Sequence, residues 1–240
     1  VDMFGDFTKY KLLIAPMLYM VGEGVGERVE RFVQDGGTFV ATYWSGIVDE
    51  NDLCFLGGFP GPLRKVLGIW SEEIDALYDE DRNGIRMLHA SESGKGEVYE
   101  AIDLCELIHT EGALPLAVYE TDFYAGRPAL TVNRYGEGKA YYLACRTSEP
   151  FYGDFYESLS RQLQLRRTLD GALPAGVTAQ MRTDGRHDYI FLMNFSDRER
   201  HVRLDGHAYT DLVTDLRVEG EIELSINGIR MLRRQSREVI

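Results

Sequence analysis

Residues 11–43, KLLIAPMLYMVGEGVGERVERFVQDGGTFVATY, decide the fold. The apolar run at 11–16 is typical of a strand buried on both faces, and Pro16 ends it. Apolar residues recur at helical spacing over 23–34, and Gly36-Gly37 stops that helix. A second apolar strand follows at 38–43. Strand, helix and strand joined by short connections predict a right-handed βαβ unit and a parallel sheet.

The remaining patterns predict two domains. A hairpin is expected around Gly136-Glu137-Gly138, and an amphipathic helix over 151–167 closes the first domain. We expect an α/β fold with an open, mostly parallel sheet over 1–172, of the class I glutamine amidotransferase-like or flavodoxin-like kind. Residues 173–240 are predicted to form a small antiparallel β domain, with strands at 177–183, 188–195, 200–204, 208–214, 221–224 and 229–233.

Composition and charge exclude several classes of function. The chain has 240 residues and a net charge of −13, and residues 49–122 alone carry 17 acidic and 5 basic side chains. This excess would repel a phosphate backbone, so nucleic acid is not an expected partner. No apolar run is long enough to span a membrane. Three cysteines and five histidines show no metal-ligand spacing, which predicts reduced thiols in a cytoplasmic protein without a metal or cofactor.

Catalytic motifs are sought at the carboxyl ends of the parallel strands, where such sheets bind ligands. No dinucleotide or Walker-A motif occurs, and the sharp turn 42–46 carries no cysteine nucleophile. Asp49-Glu50-Asn51-Asp52 is the one concentrated acidic candidate. It is interpreted either as an exposed loop that caps a helix or as a polar contact loop to a partner.

Several longer segments resemble one enzyme family. They include Gly46–Leu53, Gly57–Leu63, Asp122–Ala129 and Gly138–Tyr142, together with Phe191–Phe195 near the end. They look like the middle, trimerisation domain and the small C-terminal β domain of glycoside hydrolase family 42 β-galactosidases. The resemblance implies an amidotransferase-like fold for the middle domain. It also implies a parent enzyme that hydrolyses terminal β-D-galactosides with retention.

The family's catalytic residues find no counterpart. Its active site lies in an N-terminal (β/α)8 barrel, with a glutamate acid/base after an asparagine and a second glutamate as nucleophile. No Asn-Glu dipeptide occurs here, and a barrel needs about 250 residues. We therefore assign no catalytic, cofactor or metal residue and expect this chain alone to be inactive. The family's first strand and helix of the middle domain are also missing, so we expect an open sheet edge at 12–15 that could self-associate.

The resemblance implies two kinds of partner for this chain: the barrel of the parent enzyme and the neighbouring subunits of a trimer. The candidate contact segment is the loop 44–62, with aromatic side chains as anchors. Its candidate residues are Tyr43, Trp44, Asp49, Asn51, Asp52, Phe59 and Pro60. The alternative for the aromatic residues is that they belong to the domain's own core. Two other functions stay open: a stand-alone sugar-binding module and an amidotransferase-like enzyme.

Overall fold

The computed structural model describes residues 2, 5–88 and 97–236. The chain forms two compact units, Val1–Leu165 and Arg166–Ile240. The division lies before the expected position at 172 because the connecting segment packs into the second unit. Leu169 is buried in that unit's core, and the Thr168 hydroxyl donates a hydrogen bond to the Ala179 carbonyl.

The predicted βαβ unit is confirmed. Strand β1 (Leu12–Ala15), helix α1 (Val25–Gln34) and strand β2 (Thr38–Thr42) follow in order, and β1 pairs with β2 in parallel. The expectation that β1 is buried on both faces is wrong, since Ile14 is 46% exposed. The physical reason is position: β1 is the last strand at one edge of the described sheet.

The described residues of the first unit form one mixed sheet of nine strands. After β2 its strands are β3 (Ile69–Ala76), β4 (Asn83–Met87), β5 (Val98–Thr110), β6 (Leu114–Tyr119), β7 (Pro128–Tyr135), β8 (Gly138–Leu143) and β9 (Cys145–Thr147). The order is β1-β2-β8-β7-β6-β4-β5-β3, and β9 pairs with β5.

The prediction of a mostly parallel sheet is wrong. Only the β1–β2 and β2–β8 pairs are parallel, and the other pairings of this sheet among the described residues are antiparallel. Several consecutive strands are joined by connections too short for a helical crossover, such as the turn between β7 and β8, and short connections enforce antiparallel pairing. Strand β3 was not predicted, because a bulge between Ser71 and Glu73 interrupts its alternation of apolar and polar residues.

Helices cover both faces of this sheet. A 3₁₀ turn (Gly61–Leu63) leads into α2 (Arg64–Leu67), and α3 (Glu149–Gln162) closes the unit. Alternation along β8 divides the core: Ala140 and Tyr142 pack with α1 and α2, whereas Tyr141 and Leu143 pack with α3. Among the helices of the described residues, none has the length and apolar character needed to cross a membrane.

The second unit is antiparallel, as predicted. Its strands are β10 (Val177–Thr183), β11 (His187–Asn194), β12 (Arg200–Arg203), β13 (Tyr209–Asp211), β14 (Arg217–Val218), β15 (Glu221–Leu224) and β16 (Ile229–Gln235). Five of them form a sheet in the order β10-β11-β16-β13-β14, and β12 pairs with β15. The inward positions of β11 alternate with half-buried ones, which is the pattern of a sheet with one covered face.

A buried arginine organises the polar part of this second core. Arg234 Nε donates to Asp188 at 3.2 Å, and one Nη atom donates to Asp205 at 2.9 Å and to the Tyr209 hydroxyl at 2.8 Å. The Tyr209 hydroxyl in turn donates to Asp205 at 2.7 Å. Because Arg234 and Asp188 are both buried, each carboxylate depends on the guanidinium to offset the loss of water.

We expect Arg234→Met to lower the free energy of unfolding of the second unit by about 3–5 kcal/mol, because two carboxylates lose their buried cation. Native-state hydrogen exchange in β11 measures this, since both tryptophans lie in the first unit and report on that unit. Arg217→Met is the control. Arg217 forms an exposed pair with Glu219, so its loss should cost less than about 1 kcal/mol. Equal protection in the two variants would contradict the expectation.

Candidate functional site

The parallel strands of the first unit all end on the same side of the sheet, which we call the strand-end edge. The loops that follow β1 and β2 meet there and are held together as one body. Gly46 N–H donates to the Leu18 carbonyl at 2.8 Å, and Ile47 N–H donates to the Tyr19 carbonyl at 2.9 Å. The Ser45 hydroxyl oxygen accepts the Leu18 N–H at 3.0 Å. This edge is where α/β sheets usually bind ligands.

Trp44 occupies the sharp turn after β2 in the left-handed region, with φ of 59°. A residue other than glycine adopts this backbone conformation at a cost of about 1–2 kcal/mol. The turn is held by a hydrogen bond from Trp44 N–H to Glu106 Oε1 at 2.8 Å. As a result the indole lies outward, 41% exposed, with its ring edge-to-face with Tyr19.

Glu106 supports the turn from inside the core. The residue is 1% exposed, and its second carboxylate oxygen accepts the Tyr142 hydroxyl proton at 2.6 Å. Loss of water on burial raises the pKa of Glu106 to about 7, although the hydrogen bonds from Tyr142 and Trp44 act to lower it. Sequence reasoning did not single out this residue. The available signal was a lone carboxylate within the apolar stretch Leu104–Ile108.

The loop after the turn folds back on itself. Asp49 Oδ1 accepts the N–H groups of Asn51 and Leu53, at 2.8 and 3.0 Å. Gly46, with φ of 64°, lies against the Pro60 carbonyl so closely that a Cβ atom there would be 2.1 Å from its oxygen. These contacts fix the two ends of the segment 46–60 against one another.

Exposed apolar side chains gather on these loops, and we call the set the strand-end surface. Its members are Met17, Tyr19, Met20, Trp44, Leu53 and Leu56. Exposed aromatic and methionine side chains on a rigid support are typical of protein–protein contacts. Within the described residues, no group of three or more His, Cys, Asp or Glu is arranged to hold a metal ion.

The predicted contact residues divide by burial. Trp44, Asn51 and Asp52 are exposed, and Asp49 and Phe59 are half-buried. Tyr43 and Pro60 are buried, so they support the loop from within and lie outside the exposed set. The burial of Tyr43 matches the alternative that the aromatic residues belong to the domain's own core. Met17, Tyr19 and Met20 come from the loop after β1, which sequence reasoning did not connect with the loop after β2.

Fold and site together define the class: a protein of one α/β unit and one antiparallel β unit, with an apolar surface at its parallel strand ends. Comparison with known proteins gives the family. A family model described as the β-galactosidase trimerisation domain matches residues 1–166, and one described as the β-galactosidase C-terminal domain matches residues 176–234. The chain therefore belongs to the glycoside hydrolase family 42 β-galactosidases, of which it carries these two domains.

Individual relatives agree. The chain is 54% identical over 235 residues to β-galactosidase Pbg of Clostridium perfringens, and this match covers 98% of the chain and 34% of the relative. It is 48% identical to β-galactosidase BglY of Alicyclobacillus acidocaldarius, covering 99% of the chain and 34% of the relative. The crystal structure of a β-galactosidase from Rahnella sp. R3 superposes with a TM-score of 0.90 at 50% identity, covering 98% of the chain and 34% of that structure. The chain thus spans about a third of the length of these relatives.

We expect the stability of the first unit to fall as pH rises because of Glu106. Below the unfolded pKa of 4.5 both states carry the proton, and between 4.5 and about 7 only the folded state does. Stability is therefore lost through this range, by up to about 3 kcal/mol, and the loss is complete above the folded pKa. Glu106→Gln removes the titration and keeps an acceptor for Trp44 N–H.

Urea unfolding followed by tryptophan fluorescence at pH 5 and pH 8 measures the effect. The wild type should lose more stability between these pH values than Glu106→Gln does. Glu137→Gln, which removes an exposed carboxylate on the turn between β7 and β8, controls for the loss of one charge. Parallel pH profiles for wild type and Glu106→Gln would contradict the assignment.

We also expect Gly46→Ala to destabilise the first unit by more than about 2 kcal/mol, through left-handed strain and the clash with Pro60. Gly57→Ala is the matched control, since Gly57 also has positive φ but nothing lies within 4 Å of its Cβ position. Gly57→Ala should lower the free energy of unfolding by only about 1–2 kcal/mol, which is the cost of a positive φ for alanine. The difference between the two urea midpoints isolates the contact, and equal midpoints would show that the loop moves away at no cost.

Proposed function

We propose that this chain is the assembly part of a β-galactosidase and that its strand-end surface contacts a neighbouring subunit. The observation that carries the proposal is the exposed Trp44–Tyr19 pair, supported by a buried hydrogen-bond network at the edge where α/β sheets bind ligands. Aromatic side chains on a rigid base lose little conformational entropy on contact, which favours a protein partner.

In the parent enzyme, a (β/α)8 barrel outside this chain hydrolyses terminal β-D-galactosides with retention of configuration. The present chain supplies trimer assembly, and the loop 44–62 packs on the barrel rim of a neighbouring subunit. Its exposed Asn51 and Asp52 contribute polar contacts, and Phe59 adds partly buried apolar area. Cytoplasmic location fits three cysteines that are free thiols, one of them exposed.

We further assign the first unit to the class I glutamine amidotransferase-like folds. The βαβ unit and the sharp left-handed turn after β2 support this assignment. In that class a cysteine nucleophile stands on the corresponding turn. Trp44 takes that place here, so the turn presents an aromatic contact residue where the class presents its attacking group.

A chimera tests the assembly role. This chain replaces the matching third of the Clostridium perfringens relative, and the product is assayed for turnover of a chromogenic β-galactoside and for mass by sedimentation velocity. We expect the chimera to be active and to form the same oligomer as that relative. Trp44→Ser combined with Tyr19→Ser should shift the oligomer towards monomer, because the central aromatic anchors of the contact are lost.

Phe123→Ser is the matched control, since Phe123 is another exposed aromatic residue of the first unit, 71% exposed, but lies outside the strand-end surface. It should leave the oligomer unchanged. An oligomer that survives the double substitution would overturn the assignment of the surface. Turnover by the 240-residue chain alone would overturn its non-catalytic role.

A further inference from the structure

Two cysteines face each other across antiparallel strands in the first unit. Cys105 of β5 and Cys145 of β9 are direct partners in the register, immediately after an irregularity in that pairing. Both are fully buried, and both are free thiols. The assembly role makes no use of either one.

The hydrogen-bond pattern fixes the kind of pair they form. Glu106 N–H donates to the Ala144 carbonyl at 2.7 Å, which joins the residue after Cys105 to the residue before Cys145. A bond in this position flanks a non-hydrogen-bonded pair, in which the Cα atoms lie about 4.5 Å apart and the side chains are close. Disulfides require Cα separations of about 4.4–6.8 Å, a range that includes the typical spacing of non-hydrogen-bonded pairs.

The two sulfur atoms also lie on one side of the sheet. Directly opposed residues of an antiparallel pair point to the same face, and both thiols lie in the same core cluster. Tyr119 belongs to the same cluster, and its hydroxyl lies 3.1 Å from the Glu106 carbonyl oxygen. The same hydroxyl donates to the Ala144 carbonyl at 2.9 Å, which anchors it beside the pair.

We propose that Cys105 and Cys145 are an oxidative modification site that closes to a disulfide in the presence of a peroxide. One thiolate attacks the O–O bond of hydrogen peroxide, which gives a sulfenic acid and, after protonation, water. The second thiolate attacks that sulfur and displaces hydroxide, which leaves as a second water. Two sulfurs lose one electron each, and the peroxide takes up both.

Burial also sets the speed of this reaction. It raises the pKa of the Cys105 thiol to about 11 and raises that of Cys145 well above its usual value, so little thiolate exists at neutral pH. Oxidation therefore waits for local opening of β9, which is only three residues long. The site responds to sustained oxidant, whereas the exposed Cys54 reacts first.

The disulfide has a structural consequence at the turn after β2. It would join β5 to β9 next to Glu106, whose carboxylate holds Trp44 N–H. A crosslink between positions 105 and 145 closes a long loop, so it should raise the melting temperature by about 10 °C.

The experiment uses the 240-residue chain with Cys54→Ser, which leaves only this pair. After prolonged incubation with millimolar hydrogen peroxide and alkylation of remaining thiols, intact mass spectrometry should show a loss of two hydrogens and no alkylation. Peptide mapping should find one crosslinked peptide, and dithiothreitol should reverse both the crosslink and the rise in melting temperature.

Cys54→Ser with Cys145→Ala is the matched control, and it should gain oxygen or stay alkylatable without losing two hydrogens. Cys54→Ser with Cys105→Ala repeats the control from the other strand, in case one variant does not fold. The proposal would be overturned if Cys105 and Cys145 of the Cys54→Ser chain formed no crosslink. Both residues would then be found either alkylated or oxidised to sulfinic acids.

Discussion

A carboxylate inside a hydrophobic core is the interaction on which the candidate site depends. Glu106 accepts hydrogen bonds from the Trp44 backbone and from the Tyr142 hydroxyl, and burial raises the pKa of the carboxyl to about 7. A buried polar group of this kind is costly unless its partners are in place. The cost is offset only when β2, β5 and β8 are assembled around it. The turn that presents Trp44 is therefore a product of the whole sheet.

This dependence gives the strand-end surface its rigidity. The loops after β1 and β2 share backbone hydrogen bonds, and Gly46 packs against the Pro60 carbonyl. Side chains that are ordered before contact lose little entropy when a partner binds. The proposed subunit contact would gain from such preorganisation. The apolar, aromatic character of the surface suits a protein partner better than a charged substrate.

Much of the fold was accessible from the sequence. The βαβ unit over 11–43 and the antiparallel strands after 177 were predicted because hydrophobic periodicity is a local property. The mixed character of the sheet was missed because strand order depends on which edges meet in space. Strand β3 was missed since its bulge breaks the alternation on which the prediction rests. The resemblance to one enzyme family indicated which family the chain belongs to, and hydrophobic periodicity alone does not contain this information.

The sequence by itself determined the family and the two-unit organisation, because these follow from motifs and local patterns. It also predicted the loop 44–62 as a candidate contact segment. Only the tertiary structure decided which residues of that loop face outward: Trp44 is exposed, whereas Tyr43 beside it is buried. It also brought Glu106 beneath the turn and Cys105 opposite Cys145, across separations of tens of residues. The physical reason is that pairing between distant strands and the loss of water on burial are properties of the assembled sheet, and no local stretch of sequence carries them.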